Sequence, residues 1–286
     1  MNFAECVGLF CCPPWLPSII NKLSFKPPEN PSYVMSLKSD GRVTFSFTGS
    51  ENMLEPIPPY IIIRSYLVDC RKDKIAMVHI RTPAEPGYTI LYSHGNACDL
   101  GHTFGLLITM CQILRCDVVV YDYNGYGSST GKPNENGMRH NIECVYSYMI
   151  SNLKIKPENV IVFGQSIGSV AALHLAANQM VAGVILQSAL ASGFRLVFPG
   201  FSRTWCCDPF QNAEVIKKVE CPVLIIHGLE DEVIPFSHGF TLFDNAKYRV
   251  EPLWLSFAGH DNVEQCSEYF PTLGRFIFSD LQKRKI

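Results

Sequence analysis

The spacing of hydrophobic and polar positions changes along the chain, and each change predicts an element. Runs at 60–68 and 75–80 read as an antiparallel strand pair. After them come short, continuous apolar runs bounded by turn residues, at 89–93, 117–121, 159–163, 183–187, 222–227 and 252–257. Apolar runs of that length suit strands buried on both faces of a parallel sheet. Between them, about 101–114, 135–152, 167–179, 236–246 and 262–283 carry helical spacing. Strand and helix in alternation predict a doubly wound α/β sheet with right-handed crossovers. No internal repeat or low-complexity tract interrupts it.

Two stretches depart from this rhythm. Residues 1–32 carry Cys6, Cys11 and Cys12, Pro13-Pro14, Pro17 and Lys26-Pro27-Pro28, and read as a segment appended to a domain spanning 33–286. Within it Trp15, Leu16, Ile19, Ile20 and Leu23 recur at helical spacing, with Ser18, Asn21, Lys22 and Ser24 opposite them: a short amphipathic stretch. The second is the connection 188–221. It holds Phe194, Leu196, Val197, Phe198, Phe201, Trp205, Cys206, Cys207 and Phe210, too apolar for a solvated loop. A small lid or acyl-chain groove is one reading; packing against the core is the other.

Composition narrows the classes. The 286 residues suit one α/β domain, and 47% hydrophobic residues suffice for a two-faced core. A formal net charge of −2 gives no reason to expect a nucleic-acid partner. No secretory signal or transmembrane run is visible. Most of the twelve cysteines are therefore expected to be reduced, with Cys111, Cys116, Cys144 and Cys221 as small buried hydrophobes. No cysteine or histidine spacing suggests a metal, and no cofactor is expected.

The chemistry is carried by three segments. Gly164-Gln165-Ser166-Ile167-Gly168 follows an apolar strand and precedes a helix, the context of a nucleophile elbow. A serine hydroxyl needs a base to take its proton. Asp231 follows the 222–227 strand and His260 follows the last strand, so Ser166, Asp231 and His260 fall in the chain order of an α/β-hydrolase fold. Glu230 is a distant second for the acid; Asp122 reads as structural, and His227 and His238 as structural histidines. Oxyanion donors are expected from the backbone of Ile167 and of Asn96, with Ala97 next; His94 reads as stiffening that loop.

Ser93-His94-Gly95-Asn96-Ala97-Cys98-Asp99-Leu100-Gly101, the stretch from Tyr121 to Gly127, the elbow, the run from His227 to Gly239, Glu251-Pro252-Leu253-Trp254 and Ala258-Gly259-His260 together resemble the alpha/beta hydrolase domain-containing protein 17 family. The head, with Leu9-Phe10-Cys11-Cys12-Pro13-Pro14, extends the resemblance over almost the whole chain. The resemblance implies an α/β-hydrolase fold, with a mostly parallel central sheet flanked by helices on both faces. It also implies a depalmitoylase with Ser166, Asp231 and His260 as its triad. Its substrates would be S-palmitoylated membrane proteins. Cys6, Cys11 and Cys12 would carry lipid, holding the protein on the cytoplasmic face of the plasma membrane, endosomes or both. The residues agree with such an anchor: one acyl chain holds marginally and two signals hold firmly. Two other readings compete with this one: a membrane-anchored lipase or esterase using the same residues, and a lipid-anchored scaffold with a vestigial site.

Overall fold

The computed structural model describes residues 24–48, 57–83, 87–198 and 208–284. Cys6, Cys11 and Cys12 lie outside the described residues, as do Phe201, Trp205, Cys206 and Cys207. The described chain folds as a ten-stranded sheet in the order β1-β2-β3-β4-β6-β5-β7-β8-β9-β10. Strands β1 (Tyr33–Leu37), β2 (Val43–Phe47), β3 (Ile62–Cys70) and β4 (Asp73–Arg81) form an antiparallel wing. It joins antiparallel to β6 (Asp117–Tyr121). From there β5 (Thr89–Ser93), β7 (Val160–Gln165), β8 (Gly183–Gln187), β9 (Val223–Gly228) and β10 (Leu253–Leu255) continue parallel.

The apolar runs explain this arrangement. β5, β6 and β8 are buried at every position, so each needs cover on both faces. On one face lie α2 (Glu135–Ser151), α3 (Gly168–Asn178), α5 (Asn212–Val215) and α6 (Phe236–Asn245). The other is covered by α1 (Leu100–Leu114) and α7 (Tyr269–Arg275). A short α4 (Gly193–Val197) lies in the 188–221 connection. Helix starts follow local chemistry. Asp99 caps α1 by accepting from the amides of Gly101 and His102, and Asn134 caps α2 by accepting from Gly137.

Four expectations are corrected. β1 and β2 went unseen because they alternate buried or half-buried positions with exposed ones instead of running apolar. The expected strand at 252–257 shrinks to Leu253–Leu255, at the sheet edge. The expected last helix, 262–283, is broken into Val263–Gln265, α7 and a wider turn at Phe276–Asp280. A proline in the first turn of α7 lets that helix begin but not extend backwards. Cys144 is not a free thiol: it is joined to Cys70 as a disulfide, tying α2 to β3 across a separation of 74 residues. Cys111, Cys116 and Cys221 are free and buried.

The boundary at residue 32 does not coincide with a packing boundary. Phe25 is buried edge-on to Phe210, and Ser32 is buried against Asp99, which accepts from its amide at 2.8 Å and from its hydroxyl. Residues 24–32 belong with the domain because these contacts bury an aromatic ring and satisfy a buried carboxylate at once.

Candidate active site

The elbow is built by close approach. Ser166 has φ of +52°, a left-handed conformation that costs a non-glycine residue about 1–2 kcal/mol. The turn is held by the Ser166 amide donating to the Gln187 carbonyl at 2.9 Å, and by the Ser169 hydroxyl donating to the Ser166 carbonyl at 2.6 Å. A Cβ at Gly164 would stand 2.6 Å from Ser169 Cα, and one at Gly168 would collide with the Ser93 carbonyl. Only glycine at both positions lets strand, turn and helix cross this tightly. No side chain caps α3, so its first amides face the serine without a competing acceptor of that kind.

The loops after β9 and β10 bring the other two residues to Ser166. His260 Nε2 lies 3.1 Å from Ser166 Oγ. Its Nδ1 lies 2.8 Å from one oxygen of Asp231 and 3.0 Å from the other. Asp231 also accepts from the amides of Val233 at 2.9 Å and Ile234 at 2.7 Å. Burial opposes charge on Asp231, but hydrogen bonds from His227, His260 and the Ile234 amide outweigh it and hold the carboxyl far below its usual range. For His260 burial alone would lower the pKa; the hydrogen bond and charge of Asp231 outweigh it and raise it above the ordinary 6.5. A carboxylate fixed by two amides thus orients one ring nitrogen, and the other faces a hydroxyl. This arrangement can accept a proton from Ser166.

The competing candidates occupy other places. Glu230 and Glu232 are exposed beside Asp231, and Glu232 accepts the His260 amide at 3.4 Å without reaching the ring. His227 donates from Nε2 to the Ile234 carbonyl at 2.8 Å and fixes the turn that carries Asp231. His238 Nδ1 accepts the Ala191 amide at 3.0 Å, and burial lowers its pKa to about 4. Asp122 accepts from the Leu100 amide at 2.8 Å and from the Tyr33 hydroxyl, at the root of α1. His94 is fully buried, with Nδ1 donating to the Gly95 carbonyl at 2.8 Å and Nε2 ion-paired with Asp122 at 3.0 Å.

Ser166, Ile167 and Asn96 open on one cavity of about 510 Å3. Its walls are mainly apolar: Leu190, Phe194, Leu196, Pro209, Phe210 and Ile234 among them. Val197, Phe198 and Val233, also in the lining, are exposed. The described part of the 188–221 connection therefore walls a cavity at the serine as well as packing on the core. Sequence reasoning missed the other wall. Ser24 and Lys26 line the same cavity. The Asn96 side chain holds them, accepting from the Lys26 amide at 3.0 Å and donating to the Ser24 carbonyl at 2.6 Å. Tyr126 completes the clamp, donating to Asn96 Oδ1 at 2.8 Å and accepting from the Lys26 amide at 3.1 Å. The contacts to Ser24 and Lys26 span 70 to 100 residues, and nothing local in the sequence announces them. No group of side chains suited to a metal ion occurs among the described residues.

A mostly parallel sheet with a strained serine elbow beyond one strand, and an acid and a histidine beyond two others, defines an α/β hydrolase. No family model matches the chain. Its relatives are nonetheless clear. It is 40% identical over 282 residues to the human alpha/beta hydrolase domain-containing protein 17B, covering 98% of each chain. It is 39% identical over 282 residues to the Caenorhabditis elegans alpha/beta hydrolase domain-containing protein aho-3, covering 97% of this chain and 83% of the other. The chain belongs to the alpha/beta hydrolase domain-containing protein 17 family. Among solved structures, an acetyl xylan esterase from Paenibacillus sp. R4 superposes with a TM-score of 0.64 at 15% identity, over 92% of this chain and 91% of that one. An α/β serine hydrolase homologue from Coxiella burnetii superposes at 0.59 and 20% identity, over 74% and 96%. At such identities these two establish the fold.

Proposed function

We propose that the protein is a membrane-attached acyl-protein thioesterase that removes fatty acyl groups from cysteines of membrane-associated proteins. The observation that carries this reading is the apolar cavity opening directly on Ser166, whose hydroxyl faces His260. His260 takes the Ser166 proton as the oxygen attacks the thioester carbonyl. The amides of Ile167 and Asn96 hold the oxyanion, and Asp231 stabilises the imidazolium. The cysteine sulfur leaves with the proton from His260, and an acyl-serine remains. Water, deprotonated by His260, then releases the fatty acid and restores Ser166. Apolar walls suit an acyl chain, and exposed Val197, Phe198 and Val233 at the same cavity suit a lipid-side approach.

The head completes the reading. Acyl groups on Cys6, Cys11 and Cys12 beside an amphipathic stretch supply the two signals that stable anchoring needs, on the cytoplasmic face of the plasma membrane or endosomes. Replacing all three cysteines with serine is expected to move the protein to the soluble fraction; retention on membranes would refute the anchor.

The deciding experiment compares hydrolysis of a palmitoylated-cysteine peptide with that of a lipid ester, using purified protein and Ser166→Ala as control. Thioester cleavage that exceeds ester cleavage and vanishes in the variant is expected. Cleavage of the lipid ester alone would make the protein a lipase or esterase. Inactivity towards both would leave a scaffold.

A further inference from the structure

Ser24 and Lys26, where the described chain begins, form part of the lining of the cavity that holds Ser166. They are fixed there from both sides. The Asn96 side chain and the Tyr126 hydroxyl hold their backbone, and Phe25 between them is buried against Phe210, another lining residue. Cys12 lies twelve positions before Ser24, and Cys11 and Cys6 lie thirteen and eighteen before it. A twelve-residue tether reaches at most about 40 Å. A thioester on Cys12 is therefore confined to within about 40 Å of the cavity wall at Ser24, and one on Cys11 or Cys6 to within about 43 or 60 Å. Tethering at this range corresponds to an effective concentration on the millimolar scale.

We propose that the acylated head is a substrate of its own chain: Ser166 removes the acyl groups from Cys11 and Cys12 in cis, so the enzyme limits the lifetime of its own membrane anchor. The inference rests on the thioesterase reading above. Ser166 Oγ bonds to the acyl carbon, the bond to the Cys12 sulfur breaks, and His260 returns its proton to that sulfur. Water then hydrolyses the acyl-serine. The net reaction is thioester and water to thiol and fatty acid. The acyl group comes from an acyl-coenzyme A donor. The occupant of the cavity is thus an acyl chain carried by the head, and the clamp on residues 24–26 delivers it.

The test uses full-length protein whose head carries an alkyne-tagged palmitoyl group, acquired in cells, and follows loss of the tag after purification in detergent. Wild type is expected to lose the tag by a first-order process, unchanged over roughly a hundred-fold dilution, and Ser166→Ala to retain it. Tagged Ser166→Ala mixed with untagged wild type is expected to lose it more slowly than wild type loses its own. A Gly/Ser insertion between residues 23 and 24 that trebles the tether is expected to slow self-release about five-fold, by the −3/2 power of length. Loss that is equal in Ser166→Ala, scales with concentration, or is as fast in trans overturns the proposal, as does a head that takes up no tag. The palmitoyl-peptide assay on the same preparation separates the two readings. If the peptide is cleaved while the tag persists, only the cis step falls; if neither is touched, the thioesterase reading falls as well.

Discussion

Two of the buried aspartate–histidine pairs at the strand ends of this sheet are alike in composition and opposite in use. His94 pairs with Asp122, and His260 with Asp231. In the first, both ring nitrogens lie within 3.0 Å of an acceptor oxygen, of the Gly95 carbonyl and the Asp122 carboxylate, and the ring packs 4.3 Å from Tyr123. Burial would lower the His94 pKa, but Asp122 and the neighbouring Cys98 together outweigh it and push it up to about 10. No nitrogen is left to accept a proton. In the second, Asp231 occupies one nitrogen and Ser166 faces the other. What the far nitrogen meets decides whether an aspartate–histidine pair fastens a loop or acts as a base.

Removing the two histidines should separate these roles. His260→Ala is expected to lower kcat by about 10⁶, as loss of a triad base does, with the folded state nearly as stable as before. His94→Gln leaves Asp122 buried without its cation. It is expected to cost about 3–5 kcal/mol of stability while Ser166 still reacts with a fluorophosphonate in the fraction that folds. Denaturant unfolding and probe labelling on both variants check this. Equal loss of labelling in the two would erase the distinction.

Replacing the acids sharpens it further. Asp231→Asn is expected to lower kcat by about 10⁴ through the wrong imidazole tautomer. It should also shift the pH profile. The raised His260 pKa puts the ascending limb of wild-type kcat/KM above pH 6.5. Without the carboxylate, burial, the largest influence, lowers the pKa against only the smaller opposing charges of Asp261 and Glu232, so the residual activity should reach its plateau at lower pH. A limb that stays in place would show that Asp231 does not set the protonation of His260.

The first pair has its own pH signature. A histidine whose folded pKa lies above its unfolded value contributes stability that is fully present below about pH 6.5 and lost as pH rises through the folded pKa. The stability advantage of wild type over His94→Gln is therefore expected to decline between about pH 7 and pH 10. An advantage independent of pH would mean that His94 is held neutral.

The same contrast shows what the sequence reveals. Ser166, Asp231 and His260 could be named because each follows its own apolar run, and the chain order of this fold is fixed. The glycines at 164 and 168 announced the tight crossing that the structure contains. β1 and β2 were illegible because their buried or half-buried positions alternate with exposed ones and carry no continuous apolar signal. Cys144 read as a hydrophobe because its partner, Cys70, is 74 residues away. For the same reason Asn96 could be nominated for its backbone amide, yet its side chain, which clasps residues 24–26, could not be read. Local order is written in local pattern; closures across the sheet are not.

The smallest expected effect lies at Tyr126, beside the first pair. Its ring is 5.6 Å from that of His94, and its hydroxyl donates to Asn96 Oδ1 and accepts the Lys26 amide. Tyr126→Phe keeps the ring and deletes only those two bonds. One partner, the Lys26 amide, retains Asn96 as acceptor, so no buried donor is stranded there. The cost should be about 1 kcal/mol of stability, the usual net worth of one such hydrogen bond. If the clamp positions the Asn96 amide for the oxyanion, kcat should fall several-fold with KM nearly unchanged, because an interaction made only in the transition state has been weakened. A rise in KM at constant kcat would instead assign the clamp to the cavity wall, through Ser24 and Lys26.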